Sequence, residues 1–380
     1  MKEKLGSLIL AGLPGQDLAE TSKSFLKKSA IGGVIFFGPN YESPAQIAEM
    51  INEAQAARLA GAHPLPLWTS LDQEGGRVQR FKAPFTKIPE AIQVGIAGSP
   101  KLAFELSELM ATELKAVGIN LNFFPVADVN SNPKNPVIGP RAYGSTEEEV
   151  SKMVTAAVRG HLTAGVTPCV KHFPGHGDTH VDSHWALPSV NTDLETLRSR
   201  EVAPFLKAFK ARCPMVMTAH LLNPRLDPDH PATFSEKTLQ KFLREELRFK
   251  GIIISDDLLM KAVVDHYGET EIPVLAINAG CDLLCYRNQE TAEKAYEALV
   301  HGWESGKLSK ERVAQSIERH EKAKAELIQD YKPVEIQEIS KAFNTEKAQT
   351  LLAAIEAESV KNGYRADLAS RYDPTTRSKA

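Results

Sequence analysis

Eight short apolar runs, set apart by longer amphipathic stretches, leave this chain few folds to choose from. The runs cover residues 7–13, 31–37, 67–72, 119–125, 166–171, 214–220, 251–256 and 281–286, each six or seven residues long. That is the length of a strand buried on both faces. Between and after them, residues 18–27, 44–59, 100–117, 147–164, 194–211, 235–247, 291–304 and 309–327 carry helical spacing, and Ser43 stands as an N-cap in front of the second. Strands alternating with helices predict parallel βα units, and eight is the number that closes a barrel. The expected fold is therefore α/β, a single (β/α)8 TIM-type barrel over residues 1–330 with a C-terminal helical extension over 331–380. Within that extension, 335–359 reads as a surface helix and 362–380 as a loose polar tail. The rival, an open doubly wound sheet, would carry a Gly-rich phosphate loop after its first strand. Gly12-Leu13-Pro14-Gly15 is no such loop.

Where the polar residues fall also favours the barrel. Asp72, Asn122, Lys171, His220 and Asp256 each sit at or near the C-terminal end of a different run. In a barrel those ends converge on one face, where active sites are built. With 380 residues and a net charge of −3, the chain has no basic bias that would suit nucleic acid. No apolar run reaches the roughly 18 residues a membrane span needs, so no membrane partner is expected. Residues 5–13 have the length of a signal-peptide core, but Gly6, Ser7 and Gly12 interrupt them and they supply the first strand. Cys169, Cys213, Cys281 and Cys285 lie in or beside apolar runs, where free thiols behave as small hydrophobes. A reducing, cytoplasmic compartment suits them.

The densest chemistry lies in residues 171–184, Lys-His-Phe-Pro-Gly-His-Gly-Asp-Thr-His-Val-Asp-Ser-His. Pro174, Gly175 and Gly177 forbid a helix there and force a loop off the fifth strand. Asp182 and His184, two apart in extended chain, can face the same side. The carboxylate would then orient the imidazole and raise its pKa, giving a proton shuttle near neutral pH. His172, His176, His180 and His184 recur every four residues, as metal ligands on a helix would, but the glycines and proline remove that helix. A metal-dependent barrel hydrolase is thus the lesser reading. Asp256 and Asp257 end the seventh run; strand alternation points Ile252, Ile254 and Asp256 one way and leaves Asp257 to cap the following turn. Residues 72–80, Asp-Gln-Glu-Gly-Gly-Arg-Val-Gln-Arg, mix carboxylates and guanidiniums that can bracket vicinal hydroxyls, and Arg141 sits in a constrained turn after the fourth run.

Taken together, these motifs, with Met217-Thr218-Ala219-His220 and Pro231-Ala232-Thr233, resemble the β-N-acetylglucosaminidases of glycoside hydrolase family 3, of the NagZ type that serves bacterial cell-wall recycling. The resemblance spans residues 5–327. It implies a β-N-acetylhexosaminidase with a retaining, two-step mechanism, no cofactor and no metal, acting on a small saccharide or muropeptide as a monomer. By position it makes Asp256 the nucleophile and His184 the acid/base partnered by Asp182. Asp72, Arg80, Arg141, Lys171 and His172 would hold the hydroxyls of the terminal sugar. Ala142-Tyr143 stands where Ser-Phe is usual and Pro39 where an arginine is common. A phosphorylase or a dual β-glucosidase of the same family remain the near alternatives.

Overall fold

The computed structural model describes residues 1–180, 182–183, 186–328 and 330–365. One sheet holds eight parallel strands: β1 (Ile9–Gly12), β2 (Gly33–Phe36), β3 (Trp68–Leu71), β4 (Leu121–Asn122), β5 (Thr167–Phe173), β6 (Met215–Thr218), β7 (Ile252–Ser255) and β8 (Leu284–Tyr286). Neighbours follow chain order, and β8 returns to pair with β1 through Leu284 and Ile9. Between β7 and β8 the circle closes at the Ile254–Leu283 bridge, where the Ser255 N–H donates to the Leu283 carbonyl at 3.0 Å. The result is the (β/α)8 barrel that the eight runs predict.

Strand parity sorts the apolar residues into two cores. Leu10, Ile35, Trp68, Leu121, Cys169, Met215, Ile252 and Ile254 pack together inside the barrel. Their neighbours Ile9, Val34, Val170, Val216 and Ile253 join the outer core under the helices. Burial on both faces is why these strands read as continuous apolar runs rather than alternating ones.

Helix boundaries follow local chemistry. Pro44–Leu59 begins where Ser43 Oγ accepts the Gln46 N–H at 3.2 Å, with Pro44 in the first turn, where its missing N–H has no intrahelical partner to lose. Glu147–Ala164 opens on a reciprocal Thr146–Glu149 capping box and stops at Gly165, whose φ of 81° only glycine adopts freely. Two helices leave no clear periodic trace, Ala91–Ala97 and Ile272–Ala279. The second is apolar on nearly every side, and such a segment cannot be told from a buried strand by periodicity.

The expected helix over 335–359 is two pieces, a 3₁₀ segment Ile336–Ala342 and an α-helix Glu346–Lys361. The break falls at Asn344, with φ at 54°, and Thr345 Oγ1 then caps the second piece by accepting the Ala348 N–H at 3.2 Å. Both pieces lie against the barrel's outer helices. Asn52 Oδ1 accepts the Val334 N–H at 2.8 Å, Asn362 Nδ2 donates to the Ile96 carbonyl at 3.0 Å, and Ile339, Leu351 and Ile355 are buried. Among the described residues no helix is long and apolar enough to cross a membrane.

Candidate active site

The inward parity of the strands carries straight into the barrel mouth. Asp72 lies four residues beyond Trp68, Lys171 two beyond Cys169, and Asp256 two beyond Ile254. All three line one cavity of about 260 Å³, together with Arg80, Arg141, His172 and Asp182. His184 lies outside the described residues. Asn122 does not join them. It is one residue out of phase with Leu121 and faces the helices, where its Nδ2 donates to the Gln73 carbonyl at 2.9 Å and to His161 Nε2 at 3.0 Å. His220 sits behind the cavity wall, its Nδ1 2.8 Å from Thr233 Oγ1 and its Nε2 bonded to the Asp257 carbonyl at 3.1 Å.

The cavity floor is an alternation of charges. Lys171 Nζ donates to Asp72 Oδ1 and stands 2.6 Å from both that atom and Glu74 Oε1. Arg141 grips Glu74 as a fork, Nε to Oε2 and Nη2 to Oε1, both at 2.8 Å. Burial by itself would push the Glu74 carboxyl up, but Arg141 and Lys171 outweigh it and hold the group well below the ordinary carboxylate range. Burial likewise works against the Lys171 ammonium, and Asp72 and Glu74 reverse it to a net rise. Arg80 stands further off, its Nη2 3.6 Å from Asp72 Oδ2. Asp72 therefore has one oxygen fixed on Lys171, and its side chain, 18% exposed, still opens into the cavity. A polar wall of fixed charges and free acceptors is suited to hydroxyl groups.

Asp128, just past β4, organises the loop that follows β5. Fully buried, it accepts His172 Nδ1 at 2.7 Å and the His176 backbone N–H at 2.7 Å. Fixing Nδ1 on a carboxylate leaves His172 Nε2 to face the cavity, 3.4 Å from Arg141 Nη2. His176 uses both ring nitrogens on neighbours, Nδ1 on Thr179 Oγ1 at 2.8 Å and Nε2 on Ser183 Oγ at 3.1 Å. Burial lowers its pKa to about 4, so it is a neutral spacer at pH 7. Gly177 makes this packing possible, because a Cβ there would meet the Val129 carbonyl oxygen at 1.7 Å.

The two adjacent aspartates have different surroundings. Asp257 Oδ1 accepts the Leu259 N–H at 3.1 Å, and its Oδ2 meets Arg287 Nε at 3.0 Å. Asp256 Oδ1 accepts the Asp257 N–H at 2.8 Å, and the side chain borders the cavity. Burial raises the Asp256 pKa, but His172, His220, the Asp257 amide and Lys171 bring it below the usual value, so the group is ionised at neutral pH. Burial raises Asp257 to about 6 despite Arg287.

Neither Glu74 nor Asp128 stands out in the sequence. Glu74 is one carboxylate in a polar run, and Asp128 follows an irregular stretch after Pro125 with no histidine nearby in sequence. Their importance lies in partners 67 and 44 residues away.

An eight-stranded barrel with ionised carboxylates, cations and imidazoles gathered at its C-terminal strand ends is the layout of a barrel enzyme. Residues 1–322 match the family described as Glycosyl hydrolase family 3 N terminal domain. A Beta-hexosaminidase of Idiomarina loihiensis is 38% identical over 284 residues, 74% of this chain and 83% of that protein. Beta-hexosaminidase A of Pseudoalteromonas piscicida is 36% identical over 323 residues, 79% of this chain. The match covers 54% of that longer protein, so this chain spans about half its length. The solved glycoside hydrolase family 3 beta-N-acetylglucosaminidase from Paenibacillus sp. str. FPU-7 superposes with a TM-score of 0.91 at 39% identity, over 94% of this chain and 68% of that one. Native NagZ from Neisseria gonorrhoeae superposes with a TM-score of 0.77 at 29% identity, over 93% and 97% of the two chains. The chain belongs to glycoside hydrolase family 3, and is a glycoside hydrolase.

Proposed function

We propose that this chain is a retaining exo-β-N-acetylglucosaminidase. In this reading it removes non-reducing terminal β-linked N-acetylglucosamine from peptidoglycan-derived muropeptides in the cytoplasm, as a monomer. Residues 1–330 are the catalytic barrel and 331–380 a C-terminal extension, whose helix Glu346–Lys361 lies against the barrel's outer helices. The observation that carries the proposal is Asp256, an ionised carboxylate at the end of β7 that shares one cavity with Asp72, Arg141, Lys171 and His172. The similarity to β-hexosaminidases supports the choice of sugar.

In the first step an Asp256 carboxylate oxygen attacks the anomeric carbon. The bond from that carbon to the departing oxygen breaks, and His184, partnered by Asp182, gives that oxygen a proton. In the second step His184 takes a proton from water, the resulting oxygen attacks the anomeric carbon, and Asp256 leaves. The usual pairing is of two carboxyl groups; an imidazole takes the place of one here. Lys171, Arg141, Asp72, Arg80 and His172 hold the hydroxyls of the terminal sugar in place, and the ion pairs of Lys171 with Asp72, Arg141 with Glu74 and His172 with Asp128 spare them from rearranging when it binds.

The test is turnover of nitrophenyl N-acetyl-β-glucosaminide beside nitrophenyl β-glucoside, each with and without phosphate. The expected result is preference for the N-acetyl sugar and release of free N-acetylglucosamine. Formation of a sugar 1-phosphate would replace the hydrolase by a phosphorylase, and a preference for glucoside would overturn the substrate.

The role of His184 has its own signature. Protonation matters most when the departing oxygen is a poor leaving group. His184→Ala should therefore lose about 10²–10⁴-fold on a disaccharide and much less on an activated aryl glycoside in the first step. Asp182→Asn should show the same trend more weakly, since it keeps the imidazole but removes the adjacent charge. The measurement is log rate against leaving-group pKa, and equal slopes for wild type and His184→Ala would reduce His184 to a positioning role.

A further inference from the structure

At the opposite pole of the barrel, in front of β1, β2 and β3, lies a second cavity of about 310 Å³. Ala30, Pro64 and Leu65 form its apolar wall, and the helix Lys310–Leu327 closes it from below. Three nitrogen-bearing side chains that line it are almost fully buried, Arg58 at 1% exposure and His320 and Lys324 at 2% each.

These groups have few charged partners. Lys324 Nζ donates to the carbonyls of Gly32 and Pro66, both at 2.7 Å. Arg58 donates to three carbonyls, Nε to Ile31 at 2.9 Å, Nη2 to Ala30 at 3.5 Å and Nη1 to His63. Among the described residues, neither cation has a carboxylate within ion-pair distance. The carboxylate that does line the cavity, Glu321, is engaged by Lys4 at 2.5 Å. His320 Nε2 meets the Asp282 carbonyl at 3.0 Å, while its Nδ1 has no hydrogen-bond partner among the described residues. Burying cations without a counter-charge is costly even when carbonyls take up their N–H groups. The strain registers on Lys324, whose ammonium is pushed well below the ordinary lysine range by burial, with Arg58 adding to it.

We propose that this floor cavity binds a small organic monocarboxylate, its charge held by Lys324, Arg58 and His320 and its apolar body resting on Ala30, Pro64 and Leu65. Such a ligand supplies the missing counter-charge, and beside it His320, whose pKa burial otherwise lowers to about 4, can take up a proton on Nδ1 and donate it to the carboxylate. Its size and mixed lining suit a carboxylate with a hydrocarbon body better than a bare inorganic anion, which would leave the apolar wall unused.

The experiment is calorimetric titration of the full chain with benzoate, with inorganic phosphate as the comparison anion, beside thermal unfolding at rising benzoate. Saturable one-to-one benzoate binding is expected, unaffected by N-acetylglucosamine, with a thermal midpoint that climbs as benzoate rises. Lys324→Met should weaken it about tenfold or more, the loss of one charge-assisted hydrogen bond. Should that variant not fold, Leu65→Trp fills the half-buried rim instead and should abolish binding. No saturable benzoate binding, equal binding in the variants, or tighter binding of phosphate than of benzoate would each overturn the proposal.

Discussion

Asp256→Asn is expected to cut turnover by about 10⁴-fold or more while leaving the thermal midpoint unchanged or slightly lowered. The asymmetry comes from what the side chain touches. Asp256 borders the cavity and accepts one backbone N–H, from Asp257, which the asparagine carbonyl can also accept. Removing its negative charge therefore costs the fold little and removes the only atom proposed to form a bond to the sugar. Asp257→Asn provides the contrast. That side chain caps the next turn and pairs with Arg287, which is half exposed, so its charge is worth about 1 kcal/mol or less to the fold. Turnover should then stay within about fivefold of wild type. Both variants are read by initial rates on an aryl N-acetyl-β-glucosaminide, with circular dichroism as the check on folding. An inactive Asp257→Asn beside an active Asp256→Asn would mean that the other aspartate is the nucleophile.

The barrel was legible because its strands obey two simple rules. They are short enough to cross a barrel wall, and burial on both faces makes them apolar throughout, so β1–β4 and β6–β8 lie within the expected runs and β5 overruns its own by two residues, to Phe173. The same burial hid Ile272–Ala279, whose apolar surroundings erase the helical period. At the site, parity carried Asp72, Lys171 and Asp256 to the mouth, and the same parity turned Asn122 away from it, one position out of phase with Leu121. Glu74 and Asp128 escape a linear reading for a different reason. A carboxylate gains its meaning from the cation or imidazole it meets, and Lys171 meets Asp72 across 99 residues of sequence. Spacing along a chain reports periodicity well, and long-range pairing hardly at all.

Glu74→Gln tests that pairing and should have the largest effect on stability. The carboxylate is 6% exposed and serves Arg141 Nε, Arg141 Nη2 and Lys171 Nζ at once. An amide of the same size presents one acceptor and one NH₂ group, so a donor must face the guanidinium or the ammonium. Breaking a buried pair by removing one partner typically costs about 3–5 kcal/mol, which should lower the thermal midpoint by roughly 5–10 °C. The pH dependence fixes the cause. Glu74 is held below its unfolded value of 4.5, so its contribution is fully present above that pH and is lost only as pH falls toward the folded value. The gap between wild type and Glu74→Gln should therefore be flat from about pH 6 to 8 and should narrow below 4.5, where Glu74 of the unfolded wild type takes up a proton while the folded one stays ionised. Thermal midpoints measured across pH 3.5–8 decide it. A gap that widens toward acid, or one under about 1 kcal/mol at pH 7, would mean that Asp72 alone neutralises Lys171 and Arg141, and that Glu74 is a bystander to the charge network at the barrel mouth.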